Sequence, residues 1–189
     1  MVQVRPLRLD GVLEIRPKKF GDHRGFFSEV WNGPALAEQG VDLPFVQDNH
    51  SFSAAKGVLR GLHYQLPPAG QAKLVRVIRG AIFDVAVDIR SGSPTYGQWV
   101  GLTVSAAEWN QILVPEGFAH GFVTLEPDTE VLYKVSAPYS PEHDRGISWN
   151  DPAIGIEWPL DGAEPTLSEK DSKAPRLADA GPTFRYTAA

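Results

Sequence analysis

The chain has 189 residues, 42% of them hydrophobic, which is long enough for one domain with a substantial core and too apolar for a disordered chain. It has no cysteine, which excludes disulfides, a thiolate nucleophile and Cys-ligated zinc. A net charge of −5 argues against a general nucleic-acid or anionic-membrane surface, and no apolar run reaches the length of a membrane span or a signal-peptide core, so a cytoplasmic protein is expected.

With 18 glycines, 16 prolines and few long helical periods, the composition favours many short strands and turns. Leu9, Val12, Leu13 and Ile15 fit the start of an edge strand. Phe20 to Glu29 (FGDHRGFFSE) reads as two strands about a turn marked by Gly21, Asp22 and Gly25, with Arg24 and Glu29 forming a solvated pair. Asn32 to Gly40 reads as a short helix, with Pro34 in its first turn and Gly40 as its stop. Gln47-Asp-Asn-His-Ser51 is a polar run that reads as a loop, placed to rim a pocket beside the next strand. That strand, Gly57 to Gln65 (GVLRGLHYQ), has Val58, Leu59, Leu62 and Tyr64 for packing and carries Arg60 and His63. Strict alternation sends Arg60 and His63 to opposite faces, so a bulge at Gly61 is expected to re-aim one of them.

Lys73 to Arg90 reads as a hairpin about Arg79-Gly80. On its second arm Phe83, Val85, Val87 and Ile89 share one face while Asp84, Asp88 and Arg90 share the other, the pattern of a half-buried strand. On its first arm Lys73 lies on the face of Val75 and Val77; it either snorkels to water or stands as a cation in a pocket. Strands follow at Gly97 to Ser105 and Gln111 to Val114. Val114 to Phe122 (VPEGFAHGF) places a second histidine, His120, on a face with Phe122 and Thr124. Glu130 to Val135 turns Tyr133 inward between Val131 and Val135, where core packing of the ring competes with a pocket role. Thr166-Leu-Ser-Glu169 resembles a capping box, which gives Asp171 a structural role in a first helical turn. The tail from Ala174 is rich in Pro and Ala.

Taken singly, either histidine reads as a hydrogen-bonded strand residue. Together, a His, a carboxylate to orient it and a Tyr are the parts for removing and returning a proton, and Lys and Arg can hold an enolate or a phosphate. The sequence has no Gly-rich phosphate loop and no G-x-S-x-G motif, which leaves NTPase and serine-hydrolase chemistry without support.

Many separate stretches, in order, resemble the dTDP-4-dehydrorhamnose 3,5-epimerase family. They are Phe20 to Glu29, Gln47 to Ser51, Gly57 to Gln65, Ala72 to Gly80 (AKLVRVIRG), Phe83 to Arg90 (FDVAVDIR), Val114 to Phe122, Tyr133-Lys134, Gly146 to Pro152 (GISWNDP) and Leu167 to Asp171 (LSEKD). The resemblance implies an all-β, cupin-like jelly roll with a few short helices, as one domain over residues 1–189 with an irregular C-terminal segment from about residue 160. It implies epimerisation at C3 and C5 of dTDP-4-keto-6-deoxy-D-glucose, in dTDP-L-rhamnose biosynthesis. His63 would be the base, Asp171 its orienting carboxylate, Tyr133 the proton donor on the opposite face and Lys73 the enolate's cation. Arg24, Phe27, Glu29, Gln47, Asp48, Asn49, Arg60, His120, Asp144 and Lys170 would bind the sugar and diphosphate, and Tyr139 would stack on the thymine. Asp144 stands where the family usually has Glu. The resemblance further implies a homodimer, with residues 1–50 lending strands across it, no cofactor, and neither a nucleic-acid nor a membrane partner.

Three alternatives remain at this stage. One is a single-site 3- or 5-epimerase of secondary metabolism. Another is a metal-dependent cupin, for which Pro115 to His120 supplies half of the usual motif but Gln65 stands where a second histidine is wanted, so no metal is expected. The third is a non-catalytic nucleotide-sugar-binding module.

Overall fold

The computed structural model describes residues 2–181 and 183–187. Short runs rich in Val, Ile, Phe and Thr, punctuated by Gly and Pro, form fifteen strands among these residues. In chain order they begin with β1 (Gln3–Pro6), β2 (Leu13–Arg16), β3 (Phe20–Asp22), β4 (Gly25–Phe27), helix α1 (Gly33–Ala37), β5 (Gln47–Ser53) and β6 (Leu59–Gln65). The middle of the chain gives β7 (Lys73–Arg79), β8 (Ala81–Asp88), β9 (Arg90–Ser91), β10 (Trp99–Ser105), β11 (Gln111–Val114), β12 (Phe118–Thr124) and β13 (Thr129–Val135). The chain closes with β14 (Asp144–Gly146), helix α2 (Glu169–Ser172), a 3-10 turn at Leu177–Asp179 and β15 (Phe184–Arg185).

Two antiparallel sheets stack to make a jelly roll. One has six strands in the order β1-β2-β11-β7-β13-β5, and the other five in the order β10-β8-β12-β6-β14. Between them lies a core of Val75, Val77, Ile82, Ala86, Ile112, Phe118, Phe122 and Val131, drawn from both sheets. The outer face of the five-stranded sheet is covered as well: Leu62, Val85, Val87 and Ile89 pack against Ile147, Ile154, Leu177 and Phe184 of the C-terminal segment. On the six-stranded sheet, Ile15, Leu74 and Leu113 pack under Leu36 of α1 and Val41.

This two-sided cover changes several readings of the sequence. Lys73 to Arg90 is not a hairpin. β7 pairs with β11 and β13 while β8 pairs with β10 and β12, so the chain changes sheets at Gly80, whose φ of +78° allows the corner. β8 is buried on both faces rather than half-buried, and Asp84 and Asp88 are fully inaccessible. The polar run at Gln47 to Ser51 is strand β5 and not a loop. β1 takes the sheet edge, leaving β2 inside. Arg24 pairs with Asp22 at 2.6 Å instead of with Glu29. The α2 cap is Ser168, two residues beyond Thr166, and its hydroxyl accepts from the Asp171 N–H at 3.1 Å. Other expectations match: the β3–β4 hairpin forms, and Asn32 caps α1 with Pro34 in its first turn. The Pro- and Ala-rich tail contributes β15, which pairs in parallel with β9.

Asp88 fastens this last contact. Its carboxylate accepts from Arg90 Nε at 3.0 Å and Nη2 at 2.8 Å, from Ser93 Oγ at 2.6 Å and from Thr95 Oγ1 at 2.7 Å. Burial pushes the carboxyl's pKa up, but these hydrogen bonds outweigh it and bring the value from 3.8 down to about 2. A carboxyl lowered in the folded state stabilises above its unfolded pKa and loses that contribution as pH falls through its folded one. Asp88→Asn should therefore lower the unfolding free energy by about 2 kcal/mol at neutral pH. Chemical denaturation at several pH values checks this: the gap between variant and parent should narrow below pH 3.8 and close near pH 2.

Candidate active site

Between the sheets, toward the β5–β6 side, two cavities of about 440 and 360 Å³ share His63, Lys73 and Tyr133 on their walls. His63 comes from β6 of the five-stranded sheet, and Tyr133 and Lys73 come from β13 and β7 of the six-stranded one. The larger cavity adds Gln47, Asn49, Gln65, Tyr139, Asp144 and Lys170; the smaller adds Ser51, Arg60, His120, Phe122, Ser168 and Asp171.

Arg60 and His63 reach the same cavity because β6 is irregular where the sequence suggests. Its register against β12 shifts between His120 and Phe122, and Gly61 has φ +112°. Alternation resumes after the bulge: His63 and Gln65 turn inward, while Leu62 and Tyr64 join the outer core.

His63 Nε2 lies 2.5 Å from Asp171 Oδ1. An ionised carboxylate only accepts, so the proton belongs on Nε2 and the lone pair on Nδ1. Burial raises the pKa of the Asp171 carboxyl, but His63, the Ser168 hydroxyl and the Gly61 backbone outweigh it and hold the group below its usual value. The first-turn position and the histidine contact thus belong to the same carboxylate.

A second His–Asp pair stands beside it. His120 Nε2 meets both oxygens of Asp84, at 3.0 and 2.9 Å, and both side chains are buried. Burial pushes the Asp84 carboxyl up against the opposing pull of His120 and Lys73. Alternation alone assigns Asp84 to a solvated face and so misses it. The available signal is the polar residue centred in Ile82 to Val87, a run otherwise apolar enough to be covered on both sides.

Lys73 does not snorkel. It is 9% exposed, and its Nζ donates to the His63 carbonyl at 3.4 Å. Burial pushes its pKa down to about 8, with Asp84 and Asp144 pulling the other way. Tyr133 is raised by burial, with Arg60 opposing, so its phenol is protonated at neutral pH. Arg60 Nη2 donates to the Phe52 carbonyl at 3.1 Å and the Ser53 hydroxyl at 3.2 Å. At the outer end the Tyr139 hydroxyl donates to Asp144 at 3.1 Å, and Lys170 pairs with the same carboxylate, so the shorter Asp side chain reaches both.

Four sequence-selected residues lie elsewhere. Asp48 falls on the outward face of β5 and pairs with Lys134 at 2.8 Å, because alternation gives the inward positions to Gln47, Asn49 and Ser51. Arg24 and Phe27 project from the exposed β3–β4 hairpin, and Glu29 borders a separate hollow with Trp31 and Asn32.

A histidine–carboxylate pair and a protonated tyrosine on facing sheets, with the buried Lys73 lining the same cavities, can move protons on a carbonyl substrate. Within a jelly roll, that arrangement defines an isomerase of the epimerase type. The chain belongs to the dTDP-4-dehydrorhamnose 3,5-epimerase family, whose pattern it matches over residues 6–179. It is 56% identical over 172 residues to the dTDP-4-dehydrorhamnose 3,5-epimerase of Sinorhizobium fredii, covering 91% of this chain and 88% of that one. The Legionella pneumophila dTDP-6-deoxy-D-glucose-3,5-epimerase, solved with dTDP-4-keto-L-rhamnose, superposes with a TM-score of 0.94 at 46% identity over 100% of both chains. A 3'-monoepimerase from Streptomyces bikiniensis, solved with dTDP-quinovose, gives 0.87 at 38% identity over 93% of this chain and 88% of that one.

Free-enzyme ionisations appear in kcat/KM. With charged Lys73 as the working form, kcat/KM should fall as pH rises through about 8. In Lys73→Arg this limb should leave the accessible range, because guanidinium stays protonated. A limb that persists unchanged would belong to another group.

Proposed function

We propose that the enzyme inverts C3 and C5 of dTDP-4-keto-6-deoxy-D-glucose to give dTDP-4-keto-L-rhamnose. The observation that carries this reading is the placement of His63, held by Asp171 of α2, and Tyr133 on opposite sheets around shared cavities. His63 Nδ1 takes the proton on the carbon beside the 4-keto group, and the C–H electron pair moves into an enolate. The Lys73 ammonium balances the enolate oxygen. Tyr133 then donates its phenolic proton to the opposite face of that carbon; a single group would return the proton where it came from. Arg60 eases the phenolate left behind, solvent reprotonates it, and His63 gives up its added proton to solvent, so that both groups are restored. The second carbon follows by the same steps once the ring has turned. The relatives named as 3,5-epimerases share more of this sequence than the monoepimerase does, which supports inversion at both centres. Gln47, Asn49 and Lys170 would hold the diphosphate end and Tyr139 the base, with Asp144 steadying Lys170 and Tyr139, and His120 and Arg60 on the sugar. A diphosphate-bearing sugar does not cross membranes unaided, which supports a cytoplasmic location for an enzyme that uses one.

In deuterated water the label should enter at both C3 and C5, and coupling to a 4-keto reductase should yield dTDP-L-rhamnose. Accumulation of a sugar inverted at one centre only would overturn the double-epimerase reading. His63→Asn should lower kcat by about 10²–10⁴-fold, the usual contribution of a general base.

Arg24, Phe27 and Glu29 fit this reading as contributions to the site of a second copy. Six large apolar residues that stay exposed, Phe20, Phe26, Phe27, Trp31, Val46 and Phe52, fall between residues 20 and 52, as expected of a surface that a homodimer covers. Sedimentation should give twice 20.7 kDa. Mixing Arg24→Ala with His63→Asn subunits should restore activity, because a heterodimer pairs one intact His63 with the other copy's intact Arg24. Failure of mixing to restore activity would remove the shared site.

A further inference from the structure

Residues 137–140 (Ala-Pro-Tyr-Ser) lie outside the strands, yet their backbone is held at every residue by a glutamine side chain. Gln71 Nε2 donates to the Ala137 carbonyl at 2.7 Å, and Gln65 Nε2 donates to the Pro138 carbonyl at 3.1 Å. Gln47 Oε1 accepts from the Tyr139 N–H at 3.2 Å, and Gln65 Oε1 accepts from the Ser140 N–H at 2.7 Å. Gln65 also donates to the Ala69 carbonyl at 2.7 Å, so one amide joins three stretches of chain. It is 3% exposed, and it is the only one of the three glutamines that grips the segment on both sides of Tyr139. The Tyr139 hydroxyl is anchored on Asp144, whose backbone is in register with Gln65 across β14 and β6. Tyr139 itself remains 58% exposed where it lines the larger cavity.

We propose that Gln65 is a positioning residue for nucleotide recognition. It fixes the segment around Tyr139 so that the ring stands ready as a platform for the base of a nucleoside diphosphate; this rests on the stacking role given to Tyr139 above. A segment without a strand ladder would otherwise wander, and ordering it on binding would weaken affinity. Only a primary amide can make this clamp, since one planar group must donate to two carbonyls and accept from an N–H. Gln65 lies two residues from His63 on the same side of β6. The strand that carries the base therefore also sets where the nucleotide platform stands relative to the reacting carbon.

The sharpest variant is Gln65→Glu, which keeps the shape and the acceptor for Ser140 but turns an oxygen toward the Ala69 and Pro138 carbonyls. Thymidine diphosphate binding by calorimetry and steady-state kinetics are the readouts. The dissociation constant and KM should both rise about tenfold while kcat stays within about threefold, because preorganisation for binding is lost and the reacting groups are untouched. Tyr139→Ala made in the Gln65→Glu background should add less than about twofold, the coupling expected of two residues that act as one device. Gln71→Leu, which removes only the Ala137 contact, should shift binding in the same direction and serves if Gln65→Glu does not fold. The clamp is overturned if Tyr139→Ala weakens binding while Gln65→Glu and Gln71→Leu do not. It is also overturned if Gln65→Glu lowers kcat as much as it raises KM, or if its effect and that of Tyr139→Ala multiply independently. If Tyr139→Ala by itself leaves thymidine diphosphate binding unchanged, the stacking role falls and the purpose assigned to the clamp falls with it.

Discussion

Between Arg60 and His63 the alternation of β6 breaks at Gly61, where a Cβ would sit 2.6 Å from the His120 carbonyl oxygen and 2.7 Å from Gly121 Cα. The approach is reciprocal, since a Cβ on Gly121 would sit 2.7 Å from the Arg60 carbonyl oxygen. Two strands can come this close only where both lack side chains, and the offset it creates turns Arg60 and His63 toward one cavity. The other contacts of the site follow from it. The Gly61 backbone also supports the Asp171 carboxylate, so the bulge that aims the histidine helps to hold the group that orients it.

Around that bulge the protein places ionisable groups where a jelly roll would ordinarily place hydrocarbon. Asp84, Lys73, His120 and Asp171 are all nearly inaccessible. Each would be costly alone, because transfer from water penalises the ionised form. The arrangement spreads the charges: each carboxylate meets a histidine, and Lys73 lies within the field of Asp84 and Asp144. A desolvated ammonium binds a developing enolate more strongly than a solvated one, since little water competes for it. The same burial that lowers the lysine's pKa keeps the phenol of Tyr133 protonated, so one apolar enclosure shifts both groups toward their neutral forms.

The enclosure depends on parts of the chain that carry no chemistry. The C-terminal segment shields the outer face of the five-stranded sheet through Ile147, Ile154, Leu177 and Phe184, and Asp88 anchors the loop against which β15 closes. With both of its faces covered, β8 can be read as an apolar strand with two aspartates inside, each matched to a partner within reach.

The sequence by itself determined the class of fold, because Gly and Pro punctuation and period-2 runs are local properties of the chain. It also turned Tyr133 inward and called for a break in alternation at Gly61, since one glycine between Arg60 and His63 leaves few ways to bring both to a pocket; for Lys73 it left snorkelling and a pocket position equally open. The pairing partners came only with the tertiary structure. Lys73 to Arg90 has the local pattern of a hairpin, and nothing nearby in sequence says that its arms belong to different sheets. Asp84 reads as solvated until the C-terminal segment is seen to cover the other side of its strand, more than sixty residues away in sequence. Gln65 reads as one more strand residue until Ala69, Pro138 and Ser140 converge on its amide. Alternation tells which side of a strand a residue takes; what waits on that side is decided by segments distant in the chain, whose approach is driven by apolar burial that has no direction of its own.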